Sequence, residues 1–245
     1  MTGSVKTLDI AVAGRRLPLT IRENRRATRM TLRIEPGGGA LKMTIPAGVG
    51  DREVRRFLLR HNGWLDSRLS KLPPVRHPAH GAWIPLRGTD HRIHRTGRVR
   101  ELCRPGEMEG EPVLFVGGAP EHLSRRLAEF LKREARHDLE SAVARHCERA
   151  GLAVKTLRLK DTRSRWGSCS SSGNLSFSWR IVMAPDHVID YLAAHEVAHL
   201  REMNHGRAFW ALCEDLCPRT PEARKWLKNN GSGLHSIDFS RPVVT

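Results

Sequence analysis

His195-Glu196-Val197-Ala198-His199, with Met203-Asn204-His205-Gly206 close behind, is the stretch on which the reading of this chain turns. Pro185-Asp186 opens the segment, and Val188, Ile189, Leu192 and Val197 recur through it at helical spacing. At about 100° per residue the two imidazoles lie about 40° apart and Glu196 about 100° from His195, so all three side chains project from one side. Two nitrogens so placed reach one cation, while the carboxylate stays beside the ion's water rather than on the ion. Asn204 and Gly206 are what a helix end and reversal require, and a reversal there presents His205 as a third imidazole. Three neutral nitrogens and one open position make the arrangement of a catalytic zinc, whereas a structural zinc is closed by a fourth protein ligand. Glu214 and Glu222 stand as alternative third ligands, since some zinc hydrolases use a later glutamate. Cys213 and Cys217 would share a helical face, but two thiols in an apolar run read as small buried hydrophobes.

Working outward, Arg165-Trp166-Gly167-Ser168-Cys169 and Asn174 to Trp179 flank a Ser/Gly turn, with Leu175, Phe177 and Trp179 on one face, which predicts a hairpin. Val154 to Leu159 alternates as a strand. Glu121 to Arg149 lacks Pro and Gly and places Leu123, Leu127, Leu131, Leu139 and Val143 at helical spacing, with Gly151 as a stop, so a long amphipathic helix is expected. Residues 119–245 therefore read as one domain. In front of it, Leu17, Leu19, Ile21, then Met30, Leu32, Ile34, then Leu41, Met43, Ile45 carry the period of half-buried strands. Pro36-Gly37-Gly38-Gly39 lacks a following Lys-Ser/Thr and reads as a hairpin turn, not a phosphate loop. Asp51 is placed to cap one helix over about residues 51–71. Strand candidates at Trp83–Leu86, His91–His94 and Val113–Val116 extend this region, and His91 and His94 fall on opposite faces. The expectation is an α+β chain: a β-rich region with one helix over 1–118, then the domain that carries the histidines.

The 245 residues are 39% hydrophobic and 28% charged, a globular composition. No run approaches the roughly 18 apolar residues of a membrane span, and Met1 to Gly14 lacks the apolar core of a signal peptide, so no membrane partner is expected. Five cysteines with no C-x-x-C pair fit a reduced cytoplasm. The net charge is +16, and 34 of the 42 basic residues are arginine. The excess is +11 over residues 1–118 and +5 over 119–245. Arginine pairs bidentately with phosphate, which makes nucleic acid a candidate partner, although no nucleic-acid-binding motif accompanies the charge.

Taken in order and spacing, Arg165-Trp166-Gly167-Ser168-Cys169, Asn174-Leu175-Ser176 with Trp179-Arg180, the H-E-x-x-H segment, and Asn204-His205-Gly206 with Phe209-Trp210 resemble the YgjP-like predicted metal-dependent hydrolases. The similarity is strongest over residues 155–228. Relatives of that family include the SprT-like and WLM metallopeptidases, some of which act on protein bound to DNA. The resemblance implies a zincin-like metallopeptidase domain binding one Zn2+ per chain through His195, His199 and His205, with Glu196 as general base. It also implies that the Arg165–Trp179 hairpin takes a peptide or protein substrate as an added strand, with Trp166, Gly167, Ser168, Asn174 and Arg180 as substrate-binding residues. Arg180 and Tyr191 are candidates for oxyanion stabilisation. The rival readings are a basic nucleic-acid-associated binding protein whose metal site is structural or vestigial, and a protease acting on nucleic-acid-bound proteins.

Overall fold

The computed structural model describes residues 5–240 except 13, 36 and 163, and it divides into two units, Met1–Val75 and Arg76–Thr245. The first unit is built from β1 (Val5–Val12), β2 (Arg15–Glu23), β3 (Thr31–Ile34), β4 (Leu41–Ile45), α1 (Asp51–Arg60) and α2 (Asn62–Leu69). Its sheet has the order β1-β2-β4-β3, with β2 and β4 parallel and the outer pairs antiparallel. The alternation read from the sequence is what buries it. Leu17, Leu19 and Ile21 of β2 and Leu41, Met43 and Ile45 of β4 are buried in one cluster with Val54, Leu65 and Leu69 of the two helices. Each such side chain contributes roughly 1.5–3 kcal/mol of burial, and a one-residue slip would turn all of them to water. The glycine run does close the β3–β4 hairpin: Gly38 sits at φ +71, where a Cβ would also meet Leu72 at 3.0 Å.

Two expectations fail here. The single helix over 51–71 is two helices, because His61 (φ −100°, ψ 6°) leaves the helical path, stacks on Phe57 at 4.0 Å and is followed by the poor helix formers Asn62 and Gly63. Asp51 is not the cap. Gly50 takes that position and donates its N–H to Glu53 (3.2 Å), while the Asp51 carboxylate accepts from Lys6 at 2.9 Å.

The second unit opens with β5 (Trp83–Leu86), β6 (Thr89–Arg95), β7 (Arg104–Met108) and β8 (Glu111–Val116), in the order β5-β6-β8-β7. Directions and order repeat those of the first sheet. The boundary expected at residue 118 is therefore displaced: Ile84, Leu86, Ile93, Leu114 and Val116 share one apolar cluster with Leu123, Leu127 and Leu131 of α3 (Leu123–Ala150), so residues 76–118 belong with the histidine-bearing half. β7 escaped the sequence reading because Arg104-Pro105-Gly106-Glu107-Met108 has no apolar alternation. α3 ends at Gly151, in the left-handed region at φ 62°, as its glycine implied. A three-stranded sheet follows, β10-β11-β9, from β9 (Thr156–Lys160), β10 (Gly167–Cys169) and β11 (Asn174–Ser178), and the expected hairpin is β10–β11. Three helices complete the unit: α4 (Asp186–Ala198), α5 (Arg207–Leu216) and α6 (Thr220–His235). All five cysteines are free, and among the described residues no helix is long and apolar enough to cross a membrane.

Candidate metal centre

α4 is buried almost all round, with Val188, Ile189, Leu192, Ala193, Ala194, Val197 and Ala198 inside the core. A helix so enclosed holds its side chains in fixed directions. His195 and Glu196 lie in its last turn and His199 follows its end. The chain then turns through bonds from Leu200 N–H to the Val197 carbonyl (2.9 Å) and from Glu202 N–H to the Ala198 carbonyl (2.9 Å), and comes back to His205 just before α5.

The reversal brings three imidazoles together. His205 Nε2 lies 3.1 Å from His199 Nε2 and 3.2 Å from His195 Nε2. His199 Nδ1 is 3.0 Å from the Glu202 carbonyl oxygen, which can only accept, so Nδ1 carries the proton and Nε2 turns a bare lone pair inward. The Tyr191 hydroxyl stands 3.3 Å from Nδ1 of His195 and is placed to accept that nitrogen's N–H. Three ring nitrogens gathered this closely form a donor set that a cation among them would hold together. Nitrogens bound tetrahedrally at the zinc–imidazole distance stand about 3.3 Å apart, so the triangle fits a zinc ion. Burial, and then the neighbouring rings of His199 and His205, push His195 down to about 3, and burial lowers His199 as well, which keeps these two rings neutral. Among the described residues no other group of His, Cys, Asp or Glu is gathered to hold an ion. Glu222 is instead held by Arg219 (2.6 Å), Glu214 is exposed, and Cys213 and Cys217 are buried thiols whose pKa burial raises.

Phe209, fully buried, forms the floor, with its ring centroid 4.9, 4.4 and 4.7 Å from those of His195, His199 and His205. Trp210 stacks on His205, and the Arg224 guanidinium covers Trp210 at 4.1 Å. Phe209 thus lies in the core beneath the three imidazoles, and Trp210 is the partly exposed backing of His205.

Glu196 is 3% exposed, and its Oε2 is buried with no hydrogen-bond partner. Burial pushes its carboxyl up to about 8, opposed by the Arg165 charge. An unsatisfied buried carboxylate oxygen costs free energy unless something supplies a proton or a cation beside it. Gly167 is the reason it fits: a Cβ there would stand 2.7 Å from Cδ and 2.8 Å from Cγ of Glu196, closer still to Oε1, so β10 approaches the carboxylate only as glycine. Sequence alone marked Gly167 as part of the hairpin without this contact.

The other hairpin residues divide. β10 is an edge strand; the Trp166 carbonyl accepts from Ser178 N–H (2.7 Å) and Ser170 N–H donates to the Asn174 carbonyl (3.0 Å). Alternation along an antiparallel pair turns Ser168 toward β11 and leaves the backbone groups of Gly167 and Cys169 facing the free edge. Trp166 stacks on His235 at 4.5 Å and packs over Gly231. Asn174 spends its side chain on the turn, bonding Ser172 (2.7 Å) and Thr156 (2.8 Å). Arg180 is a correction: it is 3% exposed, and its guanidinium donates to Asp161 (2.6 and 3.2 Å) and to the carbonyls of Leu234 (3.2 Å) and Ile237 (2.7 Å). It ties the end of α6 to the segment that follows β9, and these four bonds engage all three of its nitrogens. The hydroxyl of Tyr191, the other oxyanion candidate, lies against His195 Nδ1 at 3.3 Å.

A family model described as YgjP-like, metallopeptidase domain, matches residues 28–230. Among solved structures, the metallopeptidase zymogen abylysin of Pyrococcus abyssi is similar at 20% identity and a TM-score of 0.34, over 37% of this chain and 93% of that one. No curated protein matches the chain.

Proposed function

The chain belongs to the YgjP-like metallopeptidase family, and from that premise we propose that it is a zinc-dependent peptidase in which His195, His199 and His205 hold the ion and Glu196 moves the proton. The observation that carries this reading is the gathering of three imidazole Nε2 atoms at 3.1 and 3.2 Å beside a buried carboxylate oxygen that has no partner. A zinc ion supplies Lewis-acid chemistry there, acidifying water and polarising a carbonyl. Glu196 takes a proton from the attacking water at its unpartnered oxygen and passes it to the departing amine. Tyr191 and the Glu202 carbonyl hold the His195 and His199 rings in the ligating orientation. The free edge of β10 accepts the substrate as an added strand through the backbone groups of Gly167 and Cys169, a mode that reads main chain and tolerates many sequences.

The test is zinc analysis of the purified full chain joined to incubation with a mixed-sequence peptide library read by mass spectrometry. Wild type is expected to hold one zinc per chain and to cleave. Glu196→Gln is expected to keep the zinc and lose about 10²- to 10⁴-fold in rate, ~3–5 kcal/mol of barrier, because the amide cannot accept the proton. Cleavage by Glu196→Gln at the wild-type rate would remove Glu196 from the mechanism; zinc retention with no cleavage of any peptide would favour a binding module.

A further inference from the structure

We propose that the first unit binds the phosphate backbone of nucleic acid through an arginine surface gathered at one end of its sheet. Residues 1–75 carry 15 Lys and Arg against 6 Asp and Glu. The topology concentrates them. Glu23, the last residue of β2, lies in register with Ile45, the last of β4, and Asn24 N–H donates to the Ile45 carbonyl at 2.9 Å. The turn after β2 therefore leaves the sheet at the end from which β4 runs on into α1. Lys6, opposite Ile21 in β1, reaches Asp51 at 2.9 Å and ties the start of α1 to that same end. Arg25, Arg26 and Arg29 of the turn and Arg52, Arg55 and Arg56 of the first two turns of α1 are thus neighbours, and all six are exposed.

Among the described residues none of these six guanidiniums has an ion pair or a side-chain hydrogen bond, and Arg55 adds its field to Asp51, whose carboxylate is bonded to Lys6. Six like charges held at one end of a small sheet repel one another and are relieved by a polyanion. The guanidinium fork matches phosphate oxygens bidentately, which a lysine surface would not. The surface is made of exposed arginine side chains, which suit sequence-independent contact with phosphates. Nothing in this inference depends on the metal centre.

The experiment is fluorescence anisotropy of a labelled mixed-sequence DNA duplex with the full chain across a salt series. Affinity is expected to fall linearly in log–log form, and Arg52→Gln/Arg55→Gln/Arg56→Gln to reduce the slope by about 3, one for each phosphate that no longer meets a guanidinium. Arg25→Gln/Arg26→Gln/Arg29→Gln, in a turn outside the helix, is expected to do the same. Removing an equal charge from the second unit, by Lys132→Gln/Arg133→Gln/Lys160→Gln, is expected to leave the slope unchanged. Equal reductions in all three variants would reduce the effect to net charge and overturn the assignment. So would absence of binding at low salt, or binding to phosphatidylglycerol vesicles without binding to the duplex.

Discussion

The two four-stranded sheets have the same strand order and the same pattern of parallel and antiparallel pairs, yet the arginines around them differ in what they meet, while Lys6 and Lys42 of the first are paired with Asp51 and Glu35. At the second sheet three arginines have partners: Arg87 bonds Asp138 and Glu134 of α3 at 2.8 and 2.9 Å, Arg92 faces Glu111, and Arg104 pairs with Glu101 while lying over Phe115. Around the first sheet, the six arginines of the β2 turn and α1 have no such partners among the described residues. What a sheet does is thus decided by what its faces and ends are given to pack against, not by its topology. The second sheet docks on α3, which in turn packs along α4 and holds the histidines in place; the first buries its own helices and leaves its charge outward.

Substitutions that remove charge sharpen this contrast. The largest effect on stability is expected at Arg180, where Arg180→Met strands the Leu234 and Ile237 carbonyls and lowers the unfolding free energy by roughly 3 kcal/mol. Denaturant unfolding measures it, and the KM of the remaining folded enzyme for a cleaved peptide should not change; a raised KM at unaltered stability would restore Arg180 to the substrate. Arg87→Gln comes next, at about 2 kcal/mol, since it loses charged hydrogen bonds to two carboxylates at a half-buried site. Tyr191→Phe is expected to weaken zinc binding by about tenfold, as loss of an outer hydrogen bond to a ligating imidazole does, while leaving the fold intact; competition with a chromophoric chelator would read it. The smallest change belongs to the first unit: Arg55→Gln should stay within about 0.5 kcal/mol of wild type in the same unfolding assay. A loss of stability at Arg55 as large as that at Arg87 would break the comparison.

Much of this architecture is legible in the sequence because it follows from local periodicity. The alternation of Leu17, Leu19 and Ile21 and of Leu41, Met43 and Ile45, and the helical spacing from Leu123 to Val143, translate directly into buried faces. The approach of His205 to the other two imidazoles was legible as well, from the spacing and the Asn204 and Gly206 that flank it. What escaped was set at long range. Arg180 sits in a motif beside the hairpin, but its partners are Asp161 and carbonyls more than fifty residues away, and no local pattern announces them. The grouping of residues 76–118 with α3 depends on which apolar face meets which, and β7 on pairing supplied by β8 rather than by its own Pro105 and Gly106. Gly167 was visible as a residue and invisible as a contact, since only the fold brings Glu196 against it.

The central claim, that the histidine triangle is an open metal site built for hydrolysis, is tested most directly by zinc-edge X-ray absorption on the full chain loaded with one equivalent of zinc. The account predicts three imidazole nitrogens at about 2.0–2.1 Å and one further light-atom ligand from solvent. A sulfur shell at about 2.3 Å, a fourth imidazole, or failure of the chain to retain the ion would contradict it.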